Sequence, residues 1–393
     1  MKMALVTESF FPTIDGVTTT VKAIADRMIE SGHEVRFIAP GPGLSVYRNS
    51  RVVRVSPIAK TGRQVRSALE SFEPDVVITF DPGRLGRKAL SSPTAAAATT
   101  LVVQQSPISA LRAVTPSLGT TGRASSPVDL APVVSPKAAL TWSTSVAAYA
   151  DEIFVTSEWL RRVLAAIDVA AEVWEPGVDA AAFSPSLRDD WLHRRWSRAK
   201  SRPTPLVVVG YAGNLAKSHG VRRLAELTAV PGIRLVIIGD GPQRGWLEQR
   251  VPQAKLTGPL GTGDLAIALA SLDVLVHPGE EEGCGHILRE AAASAVPVAA
   301  PRAGAAAEIV QHMETGILYN PARSRELADA VASVVSDPRR HLLGDRGREL
   351  AVTRPWTDAV DELLTRLVTL NDTRSSRSHG SASENPGPAV RLA

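Results

Sequence analysis

The stretch MALVTESFFPTIDGVTTTVKAIADRMIESGHEVRFI, residues 3–38, decides the fold class. Met3–Val6 is a short unbroken apolar run and reads as a buried strand. Thr7–Gly16 carries Pro12 and Gly16 and reads as a loop. Val17–Ser31 sets Val21, Ile24, Ala25 and Met28 at helical spacing, and Gly32 supplies the stop. Glu34–Ile38 is apolar again. Strand, helix and strand in that order make a βαβ unit, which requires a parallel sheet with ligands at the carboxyl ends of its strands.

The same alternation runs outward along the chain. Val52–Val55, Asp75–Thr79, Leu101–Gln104, Ile153–Thr156 and Glu172–Trp174 read as strands, with helices ending near Phe72 and at Ala138–Tyr149 and Glu158–Ala166. Ser91–Lys137, rich in Ala, Ser, Thr and Pro, has little periodicity and is expected to supply functional loops or a lid. Arg188–Pro205 is polar and reads as a linker. A second series follows, with strands at Leu206–Tyr211, Arg234–Ile238, Ala254–Thr257, Leu275–His277 and Pro297–Ala300. Its helices fall at Gly220–Ala229, Pro242–Arg250, Gly263–Ser271, Ile287–Ala295, Ser324–Val335, Arg339–Thr353 and Trp356–Leu370. Asn371–Ala393 is a low-complexity polar tail, expected to be disordered.

With 393 residues the chain exceeds one ordinary core. The 44% apolar content excludes a disordered chain, and a single cysteine, Cys284, excludes an intrachain disulfide and a Cys-based zinc site. No apolar run is long enough to span a bilayer, and the N-terminus reads directly into a strand, so a cytoplasmic protein without signal peptide is expected. The formal charge is only +4, and no basic stripe alternates with aromatics, so nucleic acid is not an expected partner. No acidic cluster has metal-ligand spacing, and no metal is expected.

The stretch richest in chemistry is Glu282-Gly-Cys-Gly-His-Ile-Leu-Arg-Glu290. Gly283 and Gly285 let backbone N–H groups approach a ligand, and the helix N-terminus after them favours a phosphate. Glu290, inside that helix, is placed to reach ribose hydroxyls. Here the chain resembles a retaining glycosyltransferase of family four, with the GT-B fold, in the style of bacterial mannosyltransferases. The resemblance covers nearly all of residues 1–370. Its carriers are Thr7-Glu-Ser-Phe-Phe-Pro, Asp15-Gly-Val-Thr, Gly177-Val-Asp, Phe183-Ser-Pro185, Gly213-Asn-Leu, Gly239-Asp-Gly-Pro242, Leu272–Gly279, the Glu282/Glu290 pair and Pro301-Arg-Ala-Gly304.

The resemblance implies two doubly wound Rossmann-like domains facing a cleft. Residues 1–195 would form the acceptor side and 196–353 the nucleotide-sugar side. A helix at 354–370 would cross back to the first domain, ahead of the tail at 371–393. It also implies a nucleoside-diphosphate sugar as donor, with GDP or UDP as product and no separate cofactor. Glu290 would hold the ribose, and the amides of Gly283, Cys284 and Gly285 would meet the diphosphate or sugar, with His286 as a further phosphate donor. Glu282 would touch the transferred sugar, Gly16 would let the first domain close on the diphosphate, and Leu256 and Thr257 would flank the nucleobase. Gly239–Pro242 is read instead as a tight turn after a strand.

Departures from the family pattern stand out as well. Asn214 and His219, after Gly213, occupy the positions of the family's Arg and Lys, leaving Lys217 as the nearby cation. Gln104-Gln-Ser-Pro107 stands where the family has a His or Asp, and Pro176 where it has an Arg. These changes point to a small specialised-metabolite acceptor, a hydroxyl or thiol of the kind used in antibiotic pathways. A lipid acceptor at a membrane surface and a non-catalytic nucleotide-sugar binder are the alternatives.

Overall fold

The computed structural model describes residues 1–56, 59–106, 142, 144–198 and 204–380. Much of the expected loop at 91–137, part of the helix expected at 138–149, residues 199–203 of the linker and the tail from 381 lie outside them. Contacts group the chain into two compact units. The first holds Met1–Gln104, the described residues of 140–154, and the chain from Val360; the second holds Gln105, Ser106 and Val155–Ala359.

The first sheet has eight strands: β1 (Lys2–Thr7), β2 (Glu34–Pro40), β3 (Val46–Tyr47), β4 (Ser50–Val55), β5 (Val76–Phe80), β6 (Thr99–Gln104), β7 (Glu152–Val155) and β8 (Glu172–Val173). Their order is β3-β4-β2-β1-β5-β6-β7-β8. β1 pairs in parallel with β2 and β5, setting Met3 opposite Val35 and Val76. Met3, Ala4, Leu5 and Val6 are wholly buried, as a strand covered on both faces must be. The helix Gly16–Glu30 buries the expected Val21, Ile24, Ala25 and Met28, and the Asp15 side chain caps it by accepting the Thr18 N–H. Gly32 ends it at φ +79°, with the His33 N–H returning to Met28 O.

The second sheet contains β9 (Val207–Ala212), β10 (Ile233–Ile238), β11 (Lys255–Gly258), β12 (Val274–Val276), β13 (Val298–Pro301) and β14 (Gly316–Tyr319). Its order is β11-β10-β9-β12-β13-β14, and every recorded pairing is parallel. The chain moves outward from β9 to β11 on one side, then from β12 to β14 on the other. The turning point therefore lies between β9 and β12, where a doubly wound sheet opens a crevice beyond its carboxyl ends. In the first sheet the equivalent point lies between β1 and β5.

Several elements differ from the sequence reading. The stretch 188–205 contains a helix, Asp190–Ser197, capped by Asp189. Trp196 of that helix joins Val178 and Phe183 in the core against Val208 and Val236; its charged neighbours disguise the buried face. Val221–Ala229 is a 3-10 rather than an α-helix. Helices at Arg84–Leu90, Pro93–Ala97 and Ala306–Ile309, and strands β3 and β14, were not anticipated. The last helix runs from Trp356 through the start of the expected tail to Gly380. Asn371 there accepts from the Thr99 hydroxyl, and Arg374 pairs with Asp151; these tertiary anchors extend the helix. Among the described residues no helix is long and apolar enough to cross a membrane.

Candidate functional site

The loops leaving β9 and β12 meet at the turning point of the second sheet. After β12 the chain reads His277–Gly285. Glu282 Oε1 accepts the N–H groups of Cys284 at 3.1 Å and Gly285 at 2.9 Å. Its Oε2 lies 3.5 Å from His277 Nε2. Burial alone would raise the Glu282 carboxyl; His277, the two amides and His286 outweigh it and hold the group below the ordinary glutamate value. His277 is only 6% exposed, and burial, reinforced by His219, keeps its imidazole below the usual range despite Glu282. The pair is thus a half-buried carboxylate set against a buried imidazole, each acting on the other's proton affinity. In this structure the amides of Cys284 and Gly285, expected to face the diphosphate, are engaged by Glu282.

Both glycines of the turn are fixed by geometry. Gly285 sits at φ +73°, and a Cβ there would come within 2.3 Å of Ile309 Cδ1; at Gly283 a Cβ would meet Gln105 O at 2.2 Å. The Gly283 carbonyl accepts from Thr156 Oγ1 at 2.9 Å. Cys284 is buried, with Sγ 3.2 Å from His286 Nε2. His286 opens the helix His286–Ala293, and its ring lies 5.8 Å from that of Trp356.

Glu290 stands one turn further along the same helix, partly buried. Among the described residues its carboxylate has no hydrogen-bond or ion-pair partner. Burial pushes its pKa up to about 7. A partly buried carboxylate left without protein donors is an acceptor site open to hydroxyls.

The β9 loop supplies the other wall. Gly213 donates to Ile238 O at 3.0 Å, and Asn214, Lys217 and His219 follow, all exposed. Lys217–His219 form one 3-10 turn closed by the Gly220 N–H on Lys217 O. Gly220 packs so closely on Pro278 that a Cβ would lie 2.2 Å from its carbonyl, which ties this loop to the β12 loop. Tyr211 donates to Asn214 O at 2.9 Å; burial and the Glu282 charge raise its phenol well above the usual value. Tyr211 therefore fixes the Asn214 turn within reach of the Glu282 charge, a role sequence reading missed because it sits within strand β9. Leu256 and Thr257 lie partly exposed on edge strand β11, where Thr257 Oγ1 is turned back to Gly258 O. The tight turn read at Gly239–Pro242 falls slightly later: Gly239 still bridges β11 through its N–H on Gly258 O, and the hydrogen-bonded turn is Gly241–Arg244, closed by the Arg244 N–H on Gly241 O.

Two further groups went unnoticed in the sequence. The Arg289 guanidinium is held below its usual pKa by burial, and its Nε has no partner. In the first unit Gly16 is the opening residue of its helix rather than part of the loop. There Glu8, after β1, accepts the N–H groups of Leu85 at 2.7 Å and Gly86 at 3.0 Å. Neither contact has a signal in local spacing, since the partners lie far apart in the chain.

Known proteins match both halves. A family model described as Glycosyltransferase Family 4 covers residues 14–182, and one described as Glycosyl transferases group 1 covers 206–337. The GDP-mannose-dependent alpha-mannosyltransferase of Mycolicibacterium smegmatis is 33% identical, over 96% of this chain and 100% of its own length. The enzyme of that name from Corynebacterium glutamicum is 30% identical, over 87% and 82%. Anabaena HepE in complex with UDP superimposes with TM-score 0.74 at 17% identity, over 94% and 100%. A sucrose-phosphate synthase from Thermosynechococcus elongatus gives 0.72 at 17%, over 97% and 100%. The chain belongs to the family-4 glycosyltransferases of GT-B fold, enzymes that draw on a nucleotide sugar.

Proposed function

We propose that this transferase binds GDP-mannose at the β9/β12 turning point of its second unit and transfers mannose with retention of configuration. Glu290 carries the reading: a partly buried carboxylate without protein donors, its pKa pushed up to about 7, where two ribose hydroxyls would supply the missing hydrogen bonds. The guanosine donor is supported by the names of the relatives that align over 96% of this chain, GDP-mannose-dependent alpha-mannosyltransferases. In the reaction the bond from the sugar C1 to the diphosphate oxygen breaks. The acceptor oxygen bonds C1 on the same face, and its proton passes to the departing diphosphate. Glu282, fixed by its turn and by His277, holds the sugar, and catalysis rests on orientation and on stabilising the leaving group. Asn214 and His219 stand at the positions of the family's Arg and Lys, and Lys217, on the same loop, supplies a cation for that group. No metal is needed in this scheme.

For the acceptor, a small-metabolite hydroxyl or thiol suits the altered β9 loop. A lipid acceptor is favoured by similarity to a phosphatidylinositol monomannoside mannosyltransferase of Mycobacterium tuberculosis, 33% identical over 52% of this chain. Calorimetry with GDP and UDP, followed by mass spectrometry of products formed from GDP-mannose, tests the donor assignment. Tighter binding of GDP than UDP is expected, with no change on adding a chelator; equal or absent binding of both would overturn it.

A further inference from the structure

A cavity of about 320 Å³ opens in the first unit, and none of the residues discussed for the donor lines it. One wall is the helix Arg84–Leu90, which follows β5 at the turning point of the first sheet. Arg84, Arg87 and Lys88 line it, and Thr144, Ser145 and Tyr149 face them. The spacing puts the three cations on one face of the helix, while Leu85, Gly86, Ala89 and Leu90 bury the other. Like charges so placed repel one another. Yet Arg87 and Lys88 form no ion pair or side-chain hydrogen bond with any described residue. Glu8, on the β1 loop, spends one oxygen on the amides of Leu85 and Gly86, and the Arg87 charge acts on its carboxyl from a distance without a direct ion pair. The volume lies at the small end of ligand sites, and its lining offers cationic and hydroxyl donors without a carboxylate.

From this arrangement we infer that the cavity is a subsite for an oxyanion, a phosphate or carboxylate, carried by the sugar acceptor. The acceptor would then be an acidic molecule, its anion held by Arg87 and Lys88 and its neighbouring oxygens by Thr144, Ser145 and Tyr149. The assignment rests on the transferase reading for the word acceptor, but the anion site stands or falls by itself.

The test is calorimetric titration of the full-length protein with glycerol 3-phosphate, with glycerol as the uncharged control, and sedimentation with vesicles. The vesicles are pure phosphatidylcholine, or equal parts phosphatidylcholine and phosphatidylglycerol. The double variant Arg87→Gln/Lys88→Gln should bind the anion about tenfold more weakly than wild type, since charge-assisted contacts are the strong ones. Lys88→Gln alone should show a smaller loss in the same direction. Arg194→Gln/Arg195→Gln, with the same change in net charge on another helix, should bind as wild type does. Loss of glycerol 3-phosphate binding in the cavity variants supports the site with a soluble anion. Loss confined to the acidic vesicles supports it with a lipid headgroup as the source. Absence of binding to both probes, binding unchanged in the double variant, or an equal loss in the control pair overturns it. GDP titrated in parallel separates the two readings: failure of wild type to bind GDP counts against the donor site and leaves the anion result intact.

Discussion

Replacing Glu290 by Gln should stabilise the protein and weaken its hold on the nucleotide. In the folded chain burial lifts this carboxyl from 4.5 to about 7, while in the unfolded chain it stays near 4.5. The group thus favours the folded state when protonated. That stability is present below the unfolded pKa and is lost as pH rises through the folded value. At about 1.4 kcal/mol per pKa unit, the shift costs the native state about 3 kcal/mol at pH 8 and less than about 1 kcal/mol at pH 5. Glutamine keeps the shape without the charge. Denaturant unfolding of Glu290→Gln should therefore show a gain at pH 8 that shrinks towards pH 5. Nucleotide binding should move the opposite way, losing roughly 1.5–3 kcal/mol for the charged hydrogen bonds to the ribose. Because those bonds need the ionised form, wild-type affinity for GDP should rise about tenfold between pH 6 and pH 8, with a proton released on binding. Glu290→Gln should flatten that profile. A wild-type profile that is flat or falls with pH, or a variant neither stabilised at pH 8 nor impaired in GDP binding, would refute the reasoning.

The turn ahead of this helix gives two more expectations, and a buried indole beyond β8 gives a third. Glu282→Ala strands the Cys284 and Gly285 amides and should lower stability by roughly 1–3 kcal/mol together with turnover, whereas Glu282→Gln keeps an acceptor and should fold normally, as circular-dichroism melts would show. Gly285→Ala forces a Cβ against Ile309 at positive φ and should cost roughly 1–3 kcal/mol in urea unfolding; a neutral result would mean the turn can relax. Trp174→Phe removes the buried indole hydrogen bond to Ala359 O and should cost about 1–3 kcal/mol, read as a lower Tm.

The sequence by itself determined the doubly wound class, because apolar strands and amphipathic helices write their periods locally: Val21, Ile24, Ala25 and Met28 are buried as their spacing requires. It also located the Glu282–Glu290 stretch, since glycine at Gly285 answers to backbone geometry at that very position. The helix at Asp190–Ser197 was hidden, because its charged surface dominates the composition while one tryptophan finds a core elsewhere. The extension of the last helix past Leu370 was hidden for the same reason, being held by Thr99 and Asp151. What the carboxylates do was decided only in three dimensions. Two glutamates eight residues apart look alike in the chain. Folding gives Glu282 two amides and a histidine that keep it charged, and leaves Glu290 partly buried without protein donors, its pKa near neutrality. Solvation and hydrogen bonding set that difference, and both depend on atoms brought close by tertiary contacts that no local pattern encodes.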